Sequence, residues 1–149
     1  MDALNKTSRR IEEELLKNST CATNTAGVSM RPLLSANDAV FLAAPDRDIK
    51  KYDVVLYPGP SDKYILHRVI GFKGATRLVI RGDNTYKKEY VPRERVIAYM
   101  VSFTRKGKHH KVTELGYKLY SRFWNFIYPL RRVFRKIRYL ASKNTKKQR

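Results

Sequence analysis

Between Ala39 and Phe103 apolar residues come in short β-branched and aromatic runs, punctuated by Gly, Pro and Asp. Ala39–Ala44, Tyr52–Tyr57, Tyr64–Phe72, Thr76–Gly82 and Arg95–Phe103 each read as a strand. Runs this short, closed by turns such as Pro58-Gly59-Pro60-Ser61-Asp62 and Lys73-Gly74, predict a small, mainly β core. The flanks have another period. Thr7–Asn18 predicts a short helix, with Thr7 or Ser8 as its cap and Ile11, Leu15 and Leu16 as its apolar stripe. From Thr113 to about Leu140 apolar side chains recur every three or four residues: Leu115, Leu119, Phe123 and Phe126, then Leu130, Val133, Ile137 and Leu140. Pro129 predicts a break into two pieces, and the final Ala141–Arg149 reads as a disordered basic end. The organisation expected is a helix and lead-in over 1–24, a β core over 25–106, and a basic amphipathic helical tail over 107–149.

Composition narrows the function classes. An apolar content of 42% sustains a core. One cysteine, Cys21, excludes an internal disulfide framework, and three histidines without a Cys pair argue against structural zinc. No cofactor or metal is expected. The N-terminal segment is charged and lacks the apolar run of a secretory signal, and no stretch of about 18 apolar residues predicts a spanning helix. A cytoplasmic chain attached peripherally at the inner membrane is the expected location.

Charge changes the picture further. The net charge is +19, and from Lys108 to Arg149 thirteen Lys and Arg stand against one acid, Glu114. A tail of this kind binds anionic polymers or anionic lipid. Tyr117, Tyr120, Phe123, Trp124, Phe126 and Tyr128 alternate with Arg122, Arg131, Arg132, Arg135, Lys136 and Arg138, as in an interfacial membrane helix. The competing reading is a helix that packs its Leu/Phe stripe on the β core and leaves a solvated basic face. Nucleic acid is a weaker partner, because no helix-turn-helix or RNA-recognition signature accompanies the cations.

Candidate chemistry sits in four places. Gly27-Val28-Ser29-Met30-Arg31-Pro32 is turn punctuation that contains a serine. His67 lies inside an apolar strand, where it is either a satisfied strand histidine or a general base. Gly82-Asp83-Asn84 is a turn signature whose carboxylate can hold an imidazole in one tautomer, and Glu89 competes for that role. A serine nucleophile needs such a base, such an orienting group and oxyanion donors.

In series, Ser29-Met30-Arg31-Pro32, Tyr52-Asp53-Val54-Val55, His67-Arg68-Val69-Ile70 and Gly82-Asp83-Asn84 resemble the signal peptidase I superfamily, whose β-fold is shared with the self-cleaving repressors. The resemblance spans roughly residues 25–105. It implies a barrel-like β core and a serine endopeptidase acting on a leader, signal or precursor peptide. Ser29 matches the nucleophile. His67 stands where bacterial members carry lysine and the archaeal and endoplasmic-reticulum branch carries histidine, which implies a general base. Asp83 matches the motif acid and is the first choice to assist His67, with Glu89 as rival. Two departures stand out. Gly27 occupies a position where many members have a hydroxyl, so main-chain N–H groups near Ser29 are left as oxyanion donors. A charged helix also stands where members usually carry a membrane span. The alternative is a non-proteolytic basic module that binds nucleic acid or anionic membrane.

Overall fold

The computed structural model describes residues 2–60 and 63–147, with side chains from 9 to 138 apart from 61 and 62. Helix α1 (Asp2–Asn18) leads into β1 (Thr20–Asn24), β2 (Ala39–Ala43), β3 (Val54–Pro58), β4 (Tyr64–Lys73), β5 (Arg77–Arg81), β6 (Glu89–Pro92), β7 (Ala98–Arg105) and β8 (Lys108–Lys111). Helices α2 (Leu115–Phe126) and α3 (Tyr128–Lys147) follow. The strands form one eight-stranded antiparallel sheet in the order β1-β2-β7-β3-β4-β5-β6, with β8 added to β7. The sheet takes in β1 and β8 on either side of residues 25–106. It does not close into a barrel: β1 and β6 end the order and do not pair with each other.

Alternation along the strands gives two apolar clusters. Val54, Leu56, Ala98 and Met100 pack with Leu33, Leu34, Val40 and the α1 residues Ile11 and Leu15. Val55, Tyr57, Val69, Leu78, Ile80 and Val91 form the second, on the other side of the strands they share. Side chains of successive residues leave a strand on opposite faces, so Val54 and Val55 serve different clusters.

Several expectations at the ends are corrected. Helix α1 begins at Asp2, which puts Thr7 and Ser8 inside it and not at its cap. Leu16 is 88% exposed and contributes nothing to the α1 stripe. Helix α3 reaches Lys147, so Ala141–Lys147 is helical in place of the expected disordered end. The Leu140 side chain lies outside the described residues, as do Ser61 and Asp62 of the expected turn. The break falls at Ile127, just ahead of Pro129. Pro129 thus lies in the first turn of α3, where its missing N–H costs no helical hydrogen bond.

Candidate active site

Ser29 lies in a turn that leaves the end of β1. Gly27 opens it at φ +83°, a left-handed conformation that β-carbon-bearing residues avoid. The residues after Ser29 anchor the turn from below: Met30, Leu33 and Leu34 are buried in the first cluster. Asn84 fixes it from the side. Its main-chain N–H donates to the Ser29 carbonyl at 2.7 Å, and its side-chain amide donates to the Val28 carbonyl at 3.2 Å. A trans peptide is planar, so holding these two carbonyls also sets the opposite direction of the Ser29 and Met30 N–H groups.

His67 approaches this turn from β4, where it is buried. Continuing the register in which Arg68 pairs with Arg81 brings Gly82 opposite His67. A β-carbon on Gly82 would stand 2.7 Å from the Ser29 carbonyl oxygen and 2.9 Å from His67 Nε2. Both are closer than such contacts allow, so the absence of a side chain at Gly82 lets the imidazole and the Ser29 main chain meet here.

The other ring nitrogen is held by a carboxylate and a phenol. His67 Nδ1 lies 3.3 Å from Glu89 Oε1 and 3.3 Å from the Tyr57 hydroxyl, which itself donates to Glu89 Oε2 at 2.8 Å. The single Tyr57 proton is used on Glu89, so Nδ1 faces only acceptors and carries the ring proton. Nε2 is then the unprotonated nitrogen, on the side of Gly82 and Ser29. Burial pushes the His67 imidazole below its ordinary value, and Glu89, then Asp83, partly offset this. Burial, then the bond to Glu89, pushes the Tyr57 hydroxyl up, which keeps it a donor.

Asp83, the acid first expected beside His67, is bonded elsewhere. Its carboxylate takes Arg68 Nε and Nη2 at 2.8 Å each, in a bidentate pair, and Tyr120 donates to it at 3.0 Å. The contact with Nδ1 belongs to Glu89. The reason is the direction of alternation: His67 and Arg68 leave β4 on opposite faces, and the Asp83 side chain follows Arg68. Arg68 is fully buried, and its remaining amine donates to the Tyr52 carbonyl and the Tyr117 hydroxyl. Burial disfavours its charge, but Asp83 and Tyr117 more than offset that. Trp124 and Arg131 both donate to the Asp83 carbonyl, at 2.9 and 2.8 Å. Helices α2 and α3 therefore brace the Gly82-Asp83-Asn84 turn from the side away from Ser29.

A cavity of about 530 Å³ opens beside Ser29 and His67. Thr23 to Gly27 form one wall, and Ile11, Leu56 and Leu66 give it an apolar floor. No cluster of His, Cys, Asp or Glu able to hold a metal occurs among the described residues.

Sequence pattern alone left out Tyr57, the clamping role of Asn84 and the structural role of Arg68. Tyr57 has a signal: it follows Val55 by two, and Val55 pairs with His67, so the two rings share a face. Asn84 is visible in the Gly82-Asp83-Asn84 motif, but its hold on the Val28 and Ser29 carbonyls is not, because the pattern does not show that this turn meets the one around Ser29. No protein-family model matches the chain, and no curated protein matches it.

Proposed function

We propose that this chain is a serine endopeptidase in which Ser29 is the nucleophile, His67 the general base and Glu89 the carboxylate that orients it. The observation that carries the reading is the Gly82 approach. His67 Nε2 and the Ser29 carbonyl both come within 3 Å of one β-carbon position, while Nδ1 is backed by Glu89. The resemblance of the Ser29, His67 and Gly82-Asp83-Asn84 motifs to the signal peptidase I superfamily supports the same reaction type.

In this reaction Nε2 takes the Ser29 hydroxyl proton as Oγ attacks the scissile carbonyl. Glu89 stabilises the imidazolium that forms. The peptide C–N bond breaks as the imidazolium gives its proton to the leaving amine, and water attacks the acyl-enzyme with His67 as base again. The main-chain N–H groups of Ser29 and Met30, oriented by the Asn84 clamp, are the oxyanion donors. The substrate is a leader or precursor peptide, bound extended where β1 leaves the sheet. That strand lies at one end of the strand order, and its last residues wall the cavity. The apolar floor favours small or apolar side chains near the scissile bond.

The test compares wild type, Ser29→Ala and His67→Ala against a leader-peptide library near neutral pH. Wild type cleaves selected members at one bond, and each substitution lowers the rate by about 10³-fold or more. Specific cleavage that survives both substitutions would overturn the proposal.

A further inference from the structure

The Leu/Phe stripe of the last two helices has the spacing of a core-facing stripe, yet it is bare. Leu115, Leu119, Phe123, Phe126, Leu130, Val133, Phe134 and Ile137 are between 54% and 82% exposed. The opposite face of α2 makes the contacts with the protein: Tyr117 and Tyr120 pack on the first apolar cluster and Ser121 is buried. The Ile127 N–H donates to Phe123 and the Arg131 N–H to Ile127, both at 3.0 Å, so the last turn of α2 and the first turn of α3 share Ile127 with no loop between them. The stripe is thus one surface about 35 Å long, at 1.5 Å per residue. An exposed apolar surface of this size marks an interaction site.

Charge identifies the occupant. From Leu115 to Arg138 there are seven Lys and Arg and no acid. Lys118, Arg122, Arg132, Arg135, Lys136 and Arg138 are exposed around the stripe. Two copies meeting through this face would bring fourteen such cations together with nothing to neutralise them. A nucleic acid would need stacking rings among the cations. Here Tyr117, Tyr120 and Trp124 turn toward the protein, and most of the exposed stripe is aliphatic. An apolar face edged by cations alone matches an anionic lipid surface.

We propose that the exposed face of α2–α3 docks on an anionic membrane, its Leu/Phe stripe sunk at the headgroup–acyl boundary and its cations among the headgroups. This changes the residues expected to touch lipid: Tyr117, Tyr120 and Trp124 brace Asp83 and Arg68, and the aliphatic and Phe positions enter the interface. The same helix that supports the Gly82-Asp83-Asn84 turn on one side thereby rests on the membrane with the other. No helix among the described residues is long and apolar enough to cross a membrane, which leaves surface attachment as the mode for α2–α3. The proposal stands independently of any role for Ser29.

The full chain is sedimented at 0.15 M salt with vesicles of phosphatidylcholine alone or with about one third phosphatidylglycerol. Binding to the anionic vesicles alone is expected. A Phe123→Ser/Phe126→Ser chain, with unchanged circular dichroism and thermal midpoint because both sites are exposed, binds at least about tenfold more weakly. In a Phe126→Trp chain, emission shifts to the blue and is quenched by brominated lipid, only with anionic vesicles. Equal binding to both vesicle types, or full binding by the double-serine chain, overturns the proposal. Self-association without vesicles that the double-serine change abolishes assigns the face to a second copy and also overturns it. Tight oligonucleotide binding lost on the same change overturns it in favour of nucleic acid.

Discussion

His67 and Arg68 are consecutive residues of β4, each matched to a carboxylate, and the two pairs differ in almost every physical respect. Arg68 is fully buried and meets Asp83 through two parallel bonds of 2.8 Å. His67 meets Glu89 at 3.3 Å, and the Glu89 side chain is 32% exposed. The first pair is dry and planar. The second has an acid partly open to solvent and an imidazole whose charge can change. A dry ion pair strongly resists loss of either partner, which suits fixing a turn in place. A base that must take up and release a proton needs a neighbour that favours its charged form without locking it in. Under the proposed function, one strand thus holds a positioning pair on one face and a proton-handling pair on the other.

Asp83→Asn is the largest way to break this contrast. It leaves the Arg68 guanidinium buried without a counter-charge, so stability falls by about 3–5 kcal/mol, read from urea denaturation. The His67–Glu89 contact is untouched, so peptidase activity per folded molecule changes by less than about tenfold, within what loss of a more distant charge can do. An Asp83→Asn chain of normal stability that has lost all activity would show instead that Asp83, and not Glu89, assists His67.

Glu89→Gln should reverse the pattern. The side chain keeps its size and remains partly exposed, so stability moves by less than about 1 kcal/mol. The new amide can donate to Nδ1, which returns the ring proton to Nε2 and removes the base. A fall of about 10²–10⁴-fold in kcat/KM is expected. The pH profile gives a second readout. Burial lowers the His67 value from the ordinary 6.5, so the wild-type acid limb lies below that pH. Glu89 favours the imidazolium, so its loss moves the limb lower still. The sign for stability follows from the same shift. In acid the unfolded chain takes up a proton that the buried ring refuses, so the His67 contribution is intact above 6.5 and falls as pH drops toward the folded value. A limb that moves to higher pH in Glu89→Gln contradicts this electrostatic account.

How far these pairs were legible in the sequence depends on what fixes them. Strand content was readable because β-branched alternation between Gly, Pro and Asp turns is a local signal. Closure was not, since pairing of the end strands is decided by sheet twist and not by composition. The choice between Asp83 and Glu89 was beyond reach for a similar reason. Asp83 sits in the more conspicuous motif, but Val69 pairs with Ile80 and Ile80 with Glu89, which carries Glu89 to the face of His67. That outcome needs two registers and an irregularity between Val69 and Gly71, none of them written in any short motif. The tail is the sharpest case. Periodicity located a Leu/Phe stripe in the chain, but the reading that packs this stripe on the β core is corrected: the stripe is exposed, and the opposite face of α2 packs. The partner offered by the core at that point is the charged Arg68–Asp83 pair, which the Tyr117 and Tyr120 hydroxyls can hydrogen-bond and an apolar stripe cannot, while the Trp124 indole takes the Asp83 carbonyl beside it.

Tyr57→Phe makes the smallest change and separates support from chemistry within the His67 pair. It removes the proton donated to Glu89 Oε2 at 2.8 Å and leaves the ring in the second apolar cluster. Glu89 can turn to water because it is only half-buried, so the stability loss stays near 0.5–1.5 kcal/mol. With the carboxylate less firmly held, Nδ1 is less well oriented, and kcat should fall about three- to tenfold at unchanged KM. The loss should be the same across neutral pH, because burial keeps the Tyr57 hydroxyl protonated throughout. A loss that instead grew toward pH 8 would mean that Tyr57 itself exchanges a proton with the substrate. The tyrosine would then belong to the reacting groups and not to the scaffold that aims them.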